Sequence, residues 1–220
     1  VFAVEPTTDS PLFELASVVA TPHLAASTSE AQDKAGVIVA EQILLALAGE
    51  FVPFAVNVDA AEAPENVRPF LPLAERLGRL FAKVAGSMSS TLEIGYRGEL
   101  ASGDTRILKL AVLKGLLDAG LEEPVSYVNA PQLAADRGIA VSESTTTTSD
   151  EYVNLLSLRG GDHAVAGTIT GARNEPRIVM IDDHSVELPL VANLLVVRND
   201  DRVGMMALVT AAVAEAGVNI

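Results

Sequence analysis

Residues 152–190 read YVNLLSLRGGDHAVAGTITGARNEPRIVMIDDHSVELPL. Four short runs rich in Val, Ile, Leu and Thr stand out: Tyr152 to Leu158, Ala164 to Thr170, Arg177 to Ile181, and Ser185 to Leu190. Gly160-Gly161 separates the first two and Asp182-Asp183 the last two, and these residues accept the positive φ angles that tight hairpin turns demand. The stretch predicts an antiparallel meander.

Upstream of the meander the period of the apolar residues alternates. Thr91 to Arg97 repeats at two, as a strand does, and Asp104 to Ala119 repeats as a helix, with short elements from Val125 to Gly138. Val67, Phe70, Ala74, Leu77, Phe81 and Val84 share one helical face, with Arg68, Glu75, Arg76, Arg79 and Lys83 off it. The Ser/Thr run from Ser142 to Ser149 reads as a half-exposed strand or loop. Such alternation argues for an α/β fold.

Further towards the start, a capping box at Ser27 and Glu30 opens a long helix over residues 28–48, stopped by Gly49. Ser17 to Thr21 reads as a short strand, and Val1 to Val4 as the tail of a buried one. The acidic stretch Asp59 to Pro64 marks a domain boundary. Downstream, Asn193 to Arg198 reads as an apolar strand, Met205 to Ala216 as a helix and Gly217 as its stop. A strand fragment at the start and an α/β unit ending at Ile220 give the expectation that these residues are a segment of a longer protein.

Composition excludes several classes. The 220 residues carry 15 Lys plus Arg against 29 Asp plus Glu, a net charge of −14, which repels nucleic acid and disfavours an anionic membrane surface. Mean hydropathy is +0.33 with 49% hydrophobic residues, enough to fill a core, so disorder is excluded as the main state. No apolar run has the length of a membrane span. With no Cys there is no disulfide framework or thiolate nucleophile, which suits a cytoplasmic location.

The residues that could carry chemistry are few. His23, His163 and His184 are far apart and none has a partner at metal-ligand spacing. Neither G-x-G-x-x-G nor G-x-x-x-x-G-K-[ST] nor G-x-S-x-G occurs, so a phosphate-cradling loop and a serine hydrolase both lack support, and any dinucleotide must be held elsewhere. His23 differs in its setting, behind Pro22 at a strand exit and just before a capped helix. Glu5 ends another strand, and a carboxylate beside an imidazole would fix its tautomer and make it a general acid or base near neutral pH. A loop His with an unrelated Glu is the alternative that residues alone leave open.

Val1-Phe2-Ala3-Val4-Glu5-Pro6, Ser10-Pro11-Leu12 and the run from Val18 through Thr21-Pro22-His23-Leu24-Ala25-Ala26-Ser27-Thr28 to Glu30-Ala31-Gln32 closely resemble the last signature of the D-isomer-specific 2-hydroxyacid dehydrogenases. Gly49 to Asn57 and the segments behind it look like the long, regulated 3-phosphoglycerate-oxidising branch of that family. The resemblance implies that His23 is the acid/base, Glu5 its partner carboxylate, and Ala25, where the family usually has Gly, a neighbour of the nicotinamide of NAD. It divides the chain into 1–58, the end of a dehydrogenase catalytic domain, 59–190, a mixed α/β intervening domain, and 191–220, a partial ACT unit of ferredoxin-like type.

The same resemblance implies 3-phosphoglycerate as substrate, serine as a possible effector, and a homo-oligomeric parent. Arg177 matches a basic position of the intervening domain that meets anions in some members, and Pro189 stands where a second basic residue is expected; a solvated strand residue is the alternative for Arg177. Asp201 and Asn219 match effector positions of the ACT unit, Val203 replacing the usual Pro, and a helix N-cap is the alternative for Asp201. Other functions compatible with the residues are a different D-2-hydroxy acid dehydrogenase, or a regulatory and assembly module that binds serine or anions. The segment alone is expected to be inactive.

Overall fold

The computed structural model describes residues 2, 7–21, 24, 26–56, 64–86, 89–149, 151–171 and 173–218. Glu5, His23, Ala25 and Asn219 lie outside the described residues, as do the expected strand Val1 to Val4 (Phe2 apart) and most of the boundary stretch Asp59 to Pro64. The chain forms two compact units, Val1–Ala55 and Val56–Ile220.

In the first unit Ser10 caps a 3-10 turn over Pro11–Glu14, and helix α1 spans Ser29–Leu47. The cap of α1 is Thr28, extended at φ −91 and ψ 153, whose hydroxyl accepts the amide of Ala31. The cap expected at Ser27 therefore falls one residue later, and with Ala31 three residues on, the reciprocal bond of the expected Ser27–Glu30 capping box does not form. At the other end Gly49 takes φ +70, and the amides of Gly49 and Glu50 return to the carbonyls of Ala46 and Leu45, closing the helix with a Schellman motif. No residue of α1 is buried; Ile43, Leu44 and Leu47 are all more than half exposed. Ser17 to Thr21, expected as a strand, has no strand partner among the described residues, and without a ladder the segment stays irregular.

The second unit is built on a six-stranded sheet in the order β2-β1-β3-β4-β5-β6. Helix α2 (Leu71–Ala85) precedes β1 (Thr91–Gly98), followed by α3 (Arg106–Asp118), α4 (Ala130–Asp136) and β2 (Ala140–Thr146). The meander then runs through β3 (Asn154–Gly160), β4 (His163–Thr170), β5 (Glu175–Ile181) and β6 (His184–Pro189). All its pairings are antiparallel, and its turns fall where expected: Gly161 takes φ +58 and Asp182 φ +51. The pairing of β1 with β2 is parallel, with Thr91 opposite Ala140, so the crossover runs through α3 and α4. The Ser/Thr run is thus an edge strand through Thr146, one of the two readings the sequence left open.

One face of the sheet is covered by helices. Leu92, Ile94 and Tyr96 of β1 and Leu156 and Leu158 of β3 point into a core completed by Leu73, Leu77 and Phe81 of α2 and Ile107 and Leu108 of α3, all at most 1% exposed. Helices α2 and α3 approach through glycines. A Cβ on Gly78 would fall on the carbonyl oxygen of Val112, and one on Gly115 would fall on that of Glu75. Ion pairs flank the crossing: Lys114 with Glu75 at 2.7 Å and Arg79 with Asp118 at 2.6 Å, while Lys83 Nζ donates to the carbonyl of Ala119 at 2.8 Å.

Past β6 the expected strand Asn193 to Arg198 is irregular, with no ladder partner among the described residues, which corrects the strand reading. Its side chains are exposed, Leu195 by 66%. Helix α5 (Met205–Glu215) follows as expected and likewise buries no residue.

Candidate functional site

Of the site residues that the family resemblance implies, Arg177 and Asp201 are described. Arg177 sits on β5, half-buried, directly across from Thr168 of β4 and Pro189 of β6. Its Nη2 donates to Glu175 Oε2 at 3.0 Å, so its charge is met by a neighbouring carboxylate. The position facing it, where the family resemblance implies a second cation, is Pro189. Asp201 lies exposed in a bend before α5 and bonds no described residue. It is not the cap of that helix: Gly204 holds the position at φ +92 with no side-chain cap. An uncommitted carboxylate is what an effector position requires, but it is not by itself a site.

Two clusters went unseen in the sequence. Buried Tyr96 donates its phenol to Glu143 Oε2 at 3.1 Å, and Lys109 Nζ donates to Glu143 Oε1 at 2.7 Å, tying β1, β2 and α3 together. Burial, then the negative charge and hydrogen bond of Glu143, hold the Tyr96 phenol well above the ordinary tyrosine range, against a smaller opposing contribution from Thr105. Parallel pairing puts Glu143 opposite Ile94, two residues from Tyr96 on the same face, and nothing in the periodicity reveals that pairing.

The second cluster joins the meander to the segment beyond it. His163 Nδ1 lies 3.1 Å from Asp182 Oδ1, and the same carboxylate oxygen accepts the amide of Ala164 at 3.2 Å. Arg198 donates to Asp182 Oδ2 and approaches His163 Nδ1 to 3.1 Å. One ring nitrogen cannot donate to Asp182 and accept from Arg198 at once, so each tautomer makes only one of these two contacts a hydrogen bond, while Arg198 keeps its bond to Oδ2 in both. Asp182 was legible as a turn residue, whereas its role as the hub was not.

Beside this cluster a groove of about 1060 Å³ runs between α2 and the segment after β6, lined by Arg76, Leu80, Val84, Leu190, Leu195 and Arg198 among others. Arg76 Nη1 donates to the carbonyl of Leu190 at 3.3 Å and fixes the chain where it leaves the sheet. Among the described residues there is no group of His, Asp and Glu suited to a metal ion, and no helix is long and apolar enough to cross a membrane.

The second unit is thus a mixed sheet with helices on one face, followed by an irregular segment and helix α5. Residues 66–182, more than half of the chain, match the family described as D-3-phosphoglycerate dehydrogenase intervening domain, and the chain belongs to that family. Over its whole length it is 44% identical to a D-3-phosphoglycerate dehydrogenase of Mycobacterium leprae and 37% identical to one of Methanocaldococcus jannaschii, covering 43% of each. A D-3-phosphoglycerate dehydrogenase of Bacillus subtilis is 29% identical, again with 43% of its length covered. The chain thus spans less than half the length of the curated relatives it matches.

Proposed function

We propose that the protein to which this chain belongs oxidises 3-phospho-D-glycerate to 3-phosphohydroxypyruvate with NAD, the entry step of serine synthesis. The observation that carries this reading is the match along the entire chain to proteins that bear the dehydrogenase name, one of them 44% identical. The signature around His23 supports it from the residues themselves. In this reading 1–58 ends the catalytic domain, 59–190 is the intervening domain and 191–220 begins an ACT unit.

NAD, when bound, accepts the hydride from carbon 2 of the substrate. His23 takes the proton of the 2-hydroxyl as that hydride leaves, and returns it in the reverse reduction. Glu5 holds the imidazole in the tautomer that leaves one nitrogen free for the proton. Ala25, where the family usually has Gly, would neighbour the nicotinamide in this reading. With no G-x-G-x-x-G in the chain, the segment alone is inactive in this reading.

Arg177 is proposed as an anion contact, weakened by Glu175 and by Pro189, and Asp201 with Asn219 as the contacts for a serine effector. The parent is proposed to be a cytoplasmic homo-oligomer. The exposed apolar side chains Leu44 and Leu47 of α1 and Met206 and Leu208 of α5 favour a role in subunit assembly as well.

The test is steady-state kinetics of the full-length protein with His23→Ala. Loss of an acid/base lowers turnover on 3-phosphoglycerate by about 100-fold to 10,000-fold. Turnover equal to that of the unaltered protein overturns the assignment of His23. Faster turnover on lactate or glycerate than on 3-phosphoglycerate replaces the proposed substrate by another D-2-hydroxy acid.

A further inference from the structure

The sheet face away from α2 and α3 carries a hollow of about 190 Å³ that the reading above does not use. Its floor is Gly95 of β1 and Ser157 of β3, which lie directly opposite each other. A Cβ on Gly95 would stand 2.5 Å from Ser157 Oγ, so the bare glycine is what leaves the depression open. Side chains alternate between the two faces of a strand, so Glu93 and Arg97 flank Gly95 on this face, and Leu155 and Arg159 flank Ser157.

Antiparallel register then sets the charges. Arg97 pairs with Leu155 and Arg159 with Glu93, so the two arginines stand at opposite ends of the hollow, four residue steps apart, about 13 Å between their backbone positions. Both lie over the floor from exposed positions. No carboxylate among the described residues is within ion-pair reach of Arg97, although the chain holds 29 acidic residues. Arg159 has a loose contact of 4.0 Å with Asp183, itself 90% exposed. Glu93 is engaged by Ser144 Oγ at 3.0 Å and keeps its other oxygen for a ligand.

We propose that this hollow binds an acidic α-amino acid, glutamate or aspartate, with Arg97 and Arg159 each taking one carboxylate and Glu93 the ammonium group. The site presents two positive charges and one negative, and an acidic amino acid presents the reverse. A guanidinium matches a single carboxylate with two parallel hydrogen bonds. A phosphate needs several donors converging on one point, and two guanidiniums at opposite ends do not converge. The site is separate from Arg177, and the inference does not rest on the proposed dehydrogenase reaction.

Calorimetric titration of the 220-residue chain with L-glutamate, L-aspartate, glutarate and inorganic phosphate tests it. One equivalent of glutamate or aspartate binds, and glutarate, which lacks the ammonium group, binds about tenfold more weakly or worse. Arg97→Gln weakens glutamate by about tenfold or more, whereas Arg173→Gln, which removes the same charge from an exposed position elsewhere, does not. Glu93→Gln abolishes the preference for glutamate over glutarate. Far-UV circular dichroism confirms that each variant is folded, and all three positions are exposed. Absence of binding by both amino acids at millimolar concentration overturns the proposal. So does unchanged affinity in Arg97→Gln, or phosphate binding as tightly as glutamate, which would reduce the hollow to a general anion patch.

Discussion

Gly115 of α3 lies directly against the carbonyl oxygen of Glu75 in α2, with no room for a methyl group between them. The mirror contact, Gly78 against Val112, makes the crossing reciprocal. Two helices approach this closely only where both backbones are bare, and the neighbouring pairs Lys114 with Glu75 and Arg79 with Asp118 span a gap set by those glycines.

Gly115→Ala therefore forces the helices apart and costs about 1–3 kcal/mol through overpacking, outweighing the gain in helix propensity. Urea denaturation of the 220-residue chain, followed by circular dichroism, measures it. An unchanged midpoint would show that α2 slides without penalty.

Alkaline pH destabilises the second unit through Tyr96. The phenol is neutral when folded and its folded pKa lies above its unfolded value of 10.0. Below that value the favourable contribution is fully present. Above it the unfolded chain releases a proton that the folded chain keeps, so stability falls by up to about 1.4 kcal/mol per pH unit from this group. Tyr96→Phe removes this part of the slope and, by losing the bond to Glu143, costs about 1 kcal/mol at neutral pH. Melting curves of both chains between neutral pH and pH 11 are the measurement.

Asp182→Ala removes the acceptor shared by Ala164, His163 and Arg198 and puts a Cβ-bearing residue with no compensating side chain at φ +51. The expected loss is about 1–3 kcal/mol. Asp182→Gly, which accepts the backbone angle while losing the same bonds, recovers part of it. Comparing the two by thermal melting separates the turn from the hub.

Replacing Leu44 and Leu47 together by Lys leaves the melting of the second unit unchanged, because neither side chain is buried within the chain. If the proposed assembly uses α1, the same double substitution shifts the full-length protein towards smaller species in sedimentation velocity.

The meander and α1 were legible because their signals are local: turn residues between period-two runs, and a capped helical stripe ended by Gly49. The strand Thr91 to Arg97 and the helix Asp104 to Ala119 agree with β1 and α3 to within two residues. What escaped was everything that depends on distant neighbours. The β1–β2 pairing, and with it the Tyr96–Glu143 bond, follows from a crossover whose register no period encodes. The helix crossing rests on Gly78 and Gly115, and nothing in the apolar period of either helix marks them as contacts. Asn193 to Arg198 has the composition of a strand, yet a strand exists only with a partner. Arg177 was legible as a cation, but Glu175, two residues before it on the same strand, decides how much of its charge remains available.

The parallel pairing of β1 with β2 also orders events during folding. Each hairpin of the meander closes over a few residues, whereas Thr91 meets Ala140 only after α3 and α4 are in place, and loop-closure entropy rises with the length enclosed. The hairpins can nucleate early, and β2 docks last onto a platform already built. Within the native ensemble the amides of β2 then belong to the first cooperative segment to open, exchanging with deuterium ahead of the four strands that follow.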